Sequence, residues 1–498
     1  MIKASRKEIM RKTWITRFFI FVLITVVALA LDTRPASAHA FLLRSDPADG
    51  SALASPPKQM RFWFSEPLEI DLTTITLQDA KNNTWELKPY ADSEDPAVVL
   101  VDLPDLPPSA YRINWRTVSD EDLHVISGSV IFGVQQSVSR ETTRQTQPAT
   151  PLAEVTFHWI NLLAFAAAMG ALIIILFLLP SVRKGIDEGQ ITVLASLRHK
   201  MILSALWCCV IAFSAGLLMI WDKFSGVGAT SIQGFMGIDH VKREIASEAC
   251  LIVLALSTLY WLRNATTPKN HAAIRNVLLF SSAALWIILQ ALNSHASAFN
   301  DFSIARILAY AFHLLGAALW IGGQAALIFL VAPRLQRTRL EQVALAREIY
   351  TQFGAVAALG VAILIVSGIY SAGQQVASLD ALLLTPYGQA LIFKSIFVIL
   401  TGLIGFWHAS LFHPRLARLL FKFISQQTAW TIFGKAKPAV TLRLQLLGGA
   451  AIFLLAAYLG STQPARGPEF EASLQAPAKS LQPASISSMA DEIGRAHV

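Results

Sequence analysis

Three side chains at two separate places in the sequence could share one metal ion. His39 follows Ala36-Ser37-Ala38, and Asp122 and His124 stand one residue apart in a short acidic segment. If cleavage makes His39 the first residue, its α-amine and ring can chelate an ion. With the carboxylate and the second imidazole, this gives three nitrogens and one oxygen, which suits tetragonal Cu(II). Asp122 and His124 alone are more typical of a solvated acidic loop, and His39 alone could be accidental. The prediction of a copper site therefore depends on the combination of all three residues.

The N-terminal leader is the reason to expect that cleavage. Residues 3–17 are rich in Lys and Arg, residues 18–31 are apolar, and Ala36-x-Ala38 supplies the small residues that signal peptidase accepts. We therefore predict a signal peptide over residues 1–38, removed on export to an oxidising compartment. All three cysteines lie in apolar segments further along the chain, so no disulfide framework is expected.

Composition predicts a polytopic membrane protein. The 498-residue chain is 54% hydrophobic, and its mean hydropathy is +0.49, well above the usual globular balance. The net charge of +8 comes from basic residues between apolar runs, which is typical of the positive-inside rule and does not predict a nucleic-acid partner. No phosphate-binding Gly-x-x-x-x-Gly-Lys-Ser/Thr loop is present, so we expect no ATP use, and no motif predicts an enzyme.

Residues 39–134 have the pattern of an all-β domain. Met60, Phe62 and Phe64 alternate with polar or partly polar neighbours at strand period, and turn residues bound each run. Several short strands without helical periodicity predict an immunoglobulin-like Greek-key β-sandwich. The other predicted strands span residues 73–78, 85–88, 97–103, 110–118 and 127–134.

This segment resembles CopC, a family of periplasmic copper-binding β-sandwiches. The resemblance is carried by His39-Ala40, Ser45 to Gly50, Phe64-Ser65-Glu66-Pro67, Arg116 to Ser119 with Asp122-x-His124, and Ser127-Gly128. It implies Cu(II) binding by His39, Asp122 and His124. The family's loop is usually one residue shorter, so Asp120 or Glu121 could replace Asp122 as the oxygen ligand. Met60 is the domain's one methionine and is predicted to be core, so no Cu(I) site is expected here.

A polar linker and a helical membrane domain follow. Residues 135–154 predict a flexible connector, and the Ser-, Ala-, Gln- and Pro-rich residues 461–498 predict a disordered tail. Between them, over residues 155–460, we predict about eight transmembrane helices, each close to the ~20 residues that a bilayer requires. Their predicted bounds are 155–179, 200–221, 245–262, 274–292, 305–332, 353–373, 388–411 and 441–460.

Basic loops predict the orientation of these helices. Lys and Arg concentrate after the first, third, fifth and seventh spans, which places those loops in the cytoplasm. The linker then enters the first span from outside, in agreement with the exported leader. We therefore expect a multi-pass protein of the bacterial cytoplasmic (inner) membrane, with its N-terminal domain and C-terminal tail extracytoplasmic.

Three histidines fall in the outer half of the predicted spans and could continue a copper path. His158, His295 and His313 are the candidates, because polar residues in a membrane usually face a bundle interior or a pathway. Each could instead make a structural hydrogen bond or lie at the interface. His408 lies near the inner surface, where placement at the membrane interface is at least as plausible as a role in transport. Softer candidate ligands rank below the histidines because packing explains them equally well: Met169, Met219, Met236 and Cys250.

The membrane part resembles CopD, a family often paired or fused with CopC. The matching features are His313 through Trp320-x-Gly322-Gly323, Ser367-Gly368, and Tyr387-Gly388 ahead of Lys394. The resemblance implies copper uptake across the cytoplasmic membrane.

The function predicted from the sequence is copper import, with capture of Cu(II) by the sandwich and delivery to the helices. The expected partners are copper ions, the lipid bilayer and periplasmic copper carriers. Two alternatives stay open: a haem-binding electron-transfer protein that reduces copper, and a sequestration or resistance module without transport. Whether the membrane path carries Cu(I) or Cu(II) is also open.

Overall fold

The computed structural model describes residues 41–120, 123–138, 152–182, 188–229, 231–264, 269–294, 303–331, 340–412, 438–462 and 464–465. The predicted signal peptide, His39, Glu121, Asp122, His295 and the side chain of His408 lie outside these residues. Most of the predicted linker also lies outside them. Within them, a β-sandwich precedes a helical domain, as the sequence predicts.

The sandwich consists of two facing sheets. One has the strand order β1-β3-β7-β6 and the other β2-β9-β8-β4-β5. All neighbours are antiparallel except β2 and β9, which are parallel. The described strands are β1 (Leu42–Asp46), β2 (Ser51–Leu53), β3 (Gln59–Phe64), β4 (Thr74–Asp79), β5 (Thr84–Leu87), β6 (Pro89–Ala91), β7 (Val98–Asp102), β8 (Ser109–Val118) and β9 (Val125–Val134).

The predicted alternation builds the core between the sheets. Met60, Phe62 and Phe64 of β3 are fully or almost fully buried, and the rings of Phe64 and Trp115 meet edge to face at 5.4 Å. Because side chains alternate at period 2, the residues between them face outward. Met60 is core, as predicted. Strands β8 and β9 form a long hairpin, and His124 directly precedes β9.

The helical domain contains ten described helices, two of them short and lying between spans. Their bounds are α1 (Leu152–Ile173, continuing through a π-helical turn Ile174–Leu178 to Leu179–Val182), α2 (Glu188–Val227), α3 (Ile232–Gly237), α4 (Asp239–Arg263), α5 (Lys269–Leu292), α6 (Ile304–Ala317, continuing through Ala318–Gly322, Gly323–Ala326 and Leu327–Val331), α7 (Leu340–Gln375), α8 (Leu379–Leu384), α9 (Pro386–Phe412) and α10 (Pro438–Gly460).

Eight of these helices are long and apolar enough to cross a membrane, which confirms the predicted number. Several begin earlier than the hydropathy pattern predicts. Helix α4 begins at Asp239 and not at 245, and α2 extends from Glu188 to Val227 where only 200–221 was expected. The added turns are rich in charged residues, which lower the local hydropathy although the backbone stays helical.

Helix α1 lies at the centre of the bundle and packs against α2, α6 and α10. Its closest approach to α6 is at Gly170 and Gly322, where a side-chain carbon on either glycine would overlap the other helix's backbone. Small residues at such a crossing allow the helices to approach closely. The glycines that the sequence suggested as packing residues therefore have that role.

We expect Gly322→Ala to destabilise the helical domain by about 1–3 kcal/mol, because the added methyl group must displace the Ala166 backbone. The measurement is the fraction of monodisperse protein after stepwise heating in detergent. Gly402→Ala is the matched control, since a side-chain carbon there meets no atom of the described chain within 4 Å. Equal stability of the two variants would contradict the proposed crossing.

The start of the predicted tail is ordered. Ser461 and Ala465 are buried, and Ala465 bridges to Val376 just after α7. Ala465 also packs with Tyr387, near the start of α9. Residues beyond 465 lie outside the described chain, so disorder there stays a prediction.

Candidate metal centre

The β8–β9 turn places His124 in a compact loop. Backbone hydrogen bonds from Ser119 N to His124 O (3.0 Å) and from Leu123 N to Ser119 O (3.1 Å) close it. Leu123 adopts φ 62°, a left-handed conformation that is typical of tight turns. Both ring nitrogens of His124 are shielded from solvent. The loop therefore holds this imidazole in a defined, sheltered position directly before β9.

The described chain also brings the neighbourhood of His39 to the same end of the sandwich. Phe41 N donates to Ser65 Oγ at 2.8 Å, and Ser65 N donates to Phe41 O at 2.9 Å. Two residues further on, Pro67 O accepts from Asp120 N at 3.3 Å. His39 precedes Phe41 by two residues, a reach of about 7 Å. The route from Phe41 through Ser65 and Pro67 to Asp120 is compatible with a site shared by His39 and the loop.

Asp120, the alternative oxygen ligand, has another partner. Its carboxyl group hydrogen-bonds with that of Glu69, and burial together with this contact raises the pKa of Glu69 to about 8. The raised pKa favours the protonated form of the Glu69 carboxyl group near neutral pH. This contact occupies Asp120, while Asp122 lies outside the described residues, so the choice of oxygen ligand stays a prediction.

The ligand loop lies against the helical domain. Leu123 and Val118 join an apolar group whose other buried members come from α2, α3, α4 and the adjoining connections; we call it the docking cluster. Its buried residues are Val118, Leu123, Val227, Phe235, Ile238 and Val241. Arg116 adds hydrogen bonds to the carbonyl oxygens of Gly226 (3.0 Å) and Val227 (3.3 Å). The sandwich thus docks, beside its ligand loop, on the ends of α2 and α4.

His158 and His313 lie in different surroundings. His158 of α1 is within electrostatic reach of Lys223 and Glu244, and a side-chain carbon at Gly460 would lie 2.9 Å from its Cε1. His313 of α6 pairs through Nδ1 with Ser367 Oγ at 3.0 Å. That His158 and His313 form one copper path with His295 stays a prediction, since His295 lies outside the described residues.

Part of the CopD-like pattern, namely Ser367-Gly368 and Lys394, lies around His313. Ser367 of α7 contacts its ring, and a side-chain carbon at Gly368 would lie 3.3 Å from its Cε1. Lys394 of α9 is within electrostatic reach of the same imidazole. Residues that are far apart in sequence therefore form one polar site in the interior of three helices.

The softer candidate ligands have separate environments. Met169 and Cys250 are buried in the main apolar core of the bundle, and Met219 is also buried. Met236 is half exposed on the short helix α3. The three cysteines are free thiols, consistent with the absence of a predicted disulfide framework.

A group of polar side chains that the sequence analysis missed lies under the docked sandwich. Lys223 of α2 and His240, Glu244 and Glu248 of α4 form what we call the outer polar cluster. All three α4 members are at least 95% buried. Their spacing of four residues puts them on one face of a helix, and that regular spacing was the available sequence signal. The predicted span began at residue 245, so the sequence analysis placed His240 and Glu244 outside it.

Neighbouring helices hold the outer polar cluster in place. Asn293, just after α5, donates to His240 O at 3.5 Å and accepts from Arg243 Nε at 2.7 Å. Gln290 donates to Ser247 Oγ at 3.5 Å. These contacts fix the first turns of α4 against α5, so the His240 and Glu244 side chains face α2.

A cavity of about 390 Å³ lies deeper in the domain, between α6, α7, α9 and α10. Its polar lining comes from Gln324, Gln445 and Tyr350, and the rest is apolar or glycine. Among the described residues, its lining includes no His, Cys, Met, Asp or Glu.

Comparison with known proteins gives two family matches. Residues 42–135 match the CopC domain and residues 347–459 match Copper resistance protein D. The second range contains Ser367, Tyr387 and Lys394, whereas His158 and His313 precede it.

Similar proteins include a copper transport protein, a copper resistance protein and a solved CopC structure. Copper transport protein CutJ of Bacillus subtilis (strain 168) is 25% identical over 421 residues, covering 78% of this chain and 71% of CutJ. Copper resistance protein C of Xanthomonas campestris pv. juglandis is 34% identical over 120 residues, covering 22% of this chain and 92% of that protein. Among solved structures, CopC from Methylosinus trichosporium OB3b aligns with 23% identity and a TM-score of 0.19, covering 20% of this chain and 100% of that one.

The two family matches, on a sandwich joined to eight candidate spans, define a multi-pass membrane protein of the copper transport and resistance family. The chain carries a CopC domain and a Copper resistance protein D domain in one polypeptide, and through its sandwich it belongs to the CopC family.

Proposed function

We propose that this protein imports copper across the bacterial cytoplasmic membrane. His39, Asp122 and His124 capture Cu(II) on the extracytoplasmic side, and the docked sandwich passes it to the helical domain. His158, His295 and His313 are the proposed outer-half positions of the path. Imidazole and carboxylate donors suit Cu(II), so capture takes place in that oxidation state.

The observation that carries this proposal is the contact between the ligand loop and the membrane domain. Leu123 lies between the two proposed loop ligands and is itself buried in the docking cluster. A domain that only sequestered copper would have no need to bury its ligand loop against the helices. The contact brings the proposed ligand loop close to the first polar residues of α4.

The docking also supports the proposed orientation. The sandwich contacts the C-terminal end of α2 and the N-terminal end of α4. These ends belong to the side on which the linker enters α1, and the positive-inside rule puts that side outside. An exported sandwich and an extracytoplasmic C-terminal tail follow from the same arrangement.

Cellular accumulation of radiocopper tests the direction of transport. Cells lacking the gene should accumulate less copper than cells that carry it, because an import route is lost. Increased accumulation would indicate export, and unchanged accumulation would indicate sequestration without transport. A haem absorbance band in the purified protein would instead support electron transfer.

His313→Ala should abolish uptake in this assay while Cu(II) binding by the purified protein stays unchanged. The imidazole is placed among three helices by Ser367, far in sequence from the capture loop. Ser367→Ala keeps the imidazole and removes only its hydrogen-bond partner, so it should reduce uptake much less. Normal uptake by His313→Ala would show that this histidine is structural.

A further inference from the structure

We propose that His240, Glu244 and Glu248 form a Cu(II) relay site beneath the docked sandwich, and that the ammonium group of Lys223 occupies this site when copper is absent. The proposal rests on the proposed function, because it supplies the first step after capture. It concerns residues outside both family matches, which cover residues 42–135 and 347–459. Its ligands are side chains of α4, and its internal cation comes from α2.

The contacts of Lys223 show where a cation is favoured. Its Nζ lies 2.9 Å from His240 Nε2 and forms an ion pair with Glu244. An ammonium group can only donate hydrogen bonds, so Nε2 must accept and its lone pair must face Nζ. The Nε2 and Glu244 Oε1 atoms are 3.2 Å apart. A neutral imidazole and a carboxylate therefore converge on one positive charge, as they would on a metal ion.

Among the described residues, no three His, Cys, Asp or Glu side chains are already placed to hold one metal ion. Binding of Cu(II) would therefore require Lys223 to leave and the ligand side chains to close on the ion. The ammonium group occupies the point that His240 and Glu244 share. Removal of that group would leave a nitrogen and an oxygen donor facing a buried space, which favours an incoming cation.

Glu248 provides an independent observation that a ligand is missing. It lies one helical turn deeper than Glu244 and is 95% buried. Its carboxyl group packs against Gly216, where any side chain would overlap it. In the described chain its Oε2 atom has no hydrogen-bond partner. A buried carboxyl oxygen of this kind is normally satisfied, so Glu248 is suited to join His240 and Glu244 as a ligand of the same ion.

A further polar atom continues this line inward. Asn161 of α1 donates through Nδ2 to Ala212 O at 2.9 Å, and Ala212 is one helical turn below Gly216 on α2. Among the described residues, the buried Oδ1 of Asn161 has no hydrogen-bond partner. Buried polar side chains therefore follow α2 inward from Lys223, past Gly216, to Ala212.

The ligand types determine which oxidation state of copper the relay site would bind. One imidazole and two carboxylates suit Cu(II), whereas Cu(I) prefers thiolate or thioether ligands. The relay site would thus accept copper in its captured form, without reduction at the handover. Lys223 would return to His240 and Glu244 once the ion has moved on, so the site would not retain copper.

The test measures Cu(II) binding by the purified full-length protein. The background variant carries His39→Ala and His124→Ala, which removes the capture site. On this background, Lys223→Met should bind one Cu(II) ion at least about tenfold more tightly than the background alone, with a single-imidazole signature in electron paramagnetic resonance. Adding His240→Ala or Glu248→Gln should remove the gain.

Lys242→Met is the matched control, because Lys242 also lies on α4 but pairs with Asp239 at the exposed surface. It should not gain Cu(II) binding. A folded Lys223→Met protein without gain, or a gain that survives His240→Ala, would overturn the proposal. If Lys223→Met does not fold, Lys223→Gln replaces it with the same expectations.

Radiocopper uptake with the capture site intact separates this proposal from the proposed function. Lys223→Met should reduce uptake at least about tenfold while it strengthens Cu(II) binding, since the ion is no longer displaced. Uptake equal to that of the wild type would overturn the relay role. Absence of uptake by the wild-type protein would contradict import itself, whereas the binding measurement would still decide whether the site exists.

Discussion

His39→Ala should weaken Cu(II) binding by the full-length protein at least about 100-fold, or about 2.7 kcal/mol. The substitution removes the imidazole of His39, which forms the proposed chelate together with the α-amine of the same residue. Loss of an outer-sphere partner alone typically costs ~10–100-fold in metal affinity, and a direct ligand should cost at least as much. Equilibrium dialysis against a copper chelator, at fixed pH, measures the change.

Insertion of one glycine before His39 provides the matched control for the chelate. The mature protein then keeps the imidazole but moves the α-amine by one residue. We expect most of the loss seen with His39→Ala, because the short chelate ring can no longer form. N-terminal sequencing should identify His39 as the first residue of the wild-type mature protein. Undiminished affinity in both variants would remove His39 from the site.

Phe235→Asp should reduce copper uptake at least about tenfold without changing Cu(II) affinity. Phe235 is 3% exposed, and its ring meets that of Phe224 edge to face at 5.2 Å in the docking cluster. A carboxylate at this position would be buried without a partner, which is strongly unfavourable. The sandwich should then leave the helices, so captured copper would be released away from α4.

Ile232→Asp is the matched control for this substitution. Ile232 lies on the same short helix α3 but is 58% exposed, so a carboxylate there remains solvated. Uptake by this variant should stay within about twofold of the wild type, because surface substitutions have small effects. If Phe235→Asp transports copper normally, the docking seen in the structure is not part of delivery.

The sandwich and the number of spans could be predicted from the sequence because both depend on local periodicity. Met60, Phe62 and Phe64 alternate at period 2, and only one face of β3 can reach the core. Apolar runs of about 20 residues meet a requirement set by bilayer thickness. The proposed ligands His39, Asp122 and His124 also came from residue type and spacing.

The docking cluster could not be predicted, because its members are scattered and individually unremarkable in the sequence. Leu123 lies between acidic and basic residues, and Phe235 lies in a short loop helix. An apolar residue in a loop does not reveal what covers it. Only the packing of β8 and β9 against α2, α3 and α4 shows that these side chains form one buried surface.

The outer polar cluster was missed for a related reason. Hydropathy averages each residue with its neighbours along the chain, and Asp239 to Glu244 therefore resembled a charged loop. In the structure the same residues begin α4, where Glu244 is buried against Lys223, 21 residues away. The sequence by itself determined which residue types could bind copper and on which side of the membrane to expect them. Their partners were decided by tertiary structure alone, because a buried charge is stabilised by whatever helix packs against it.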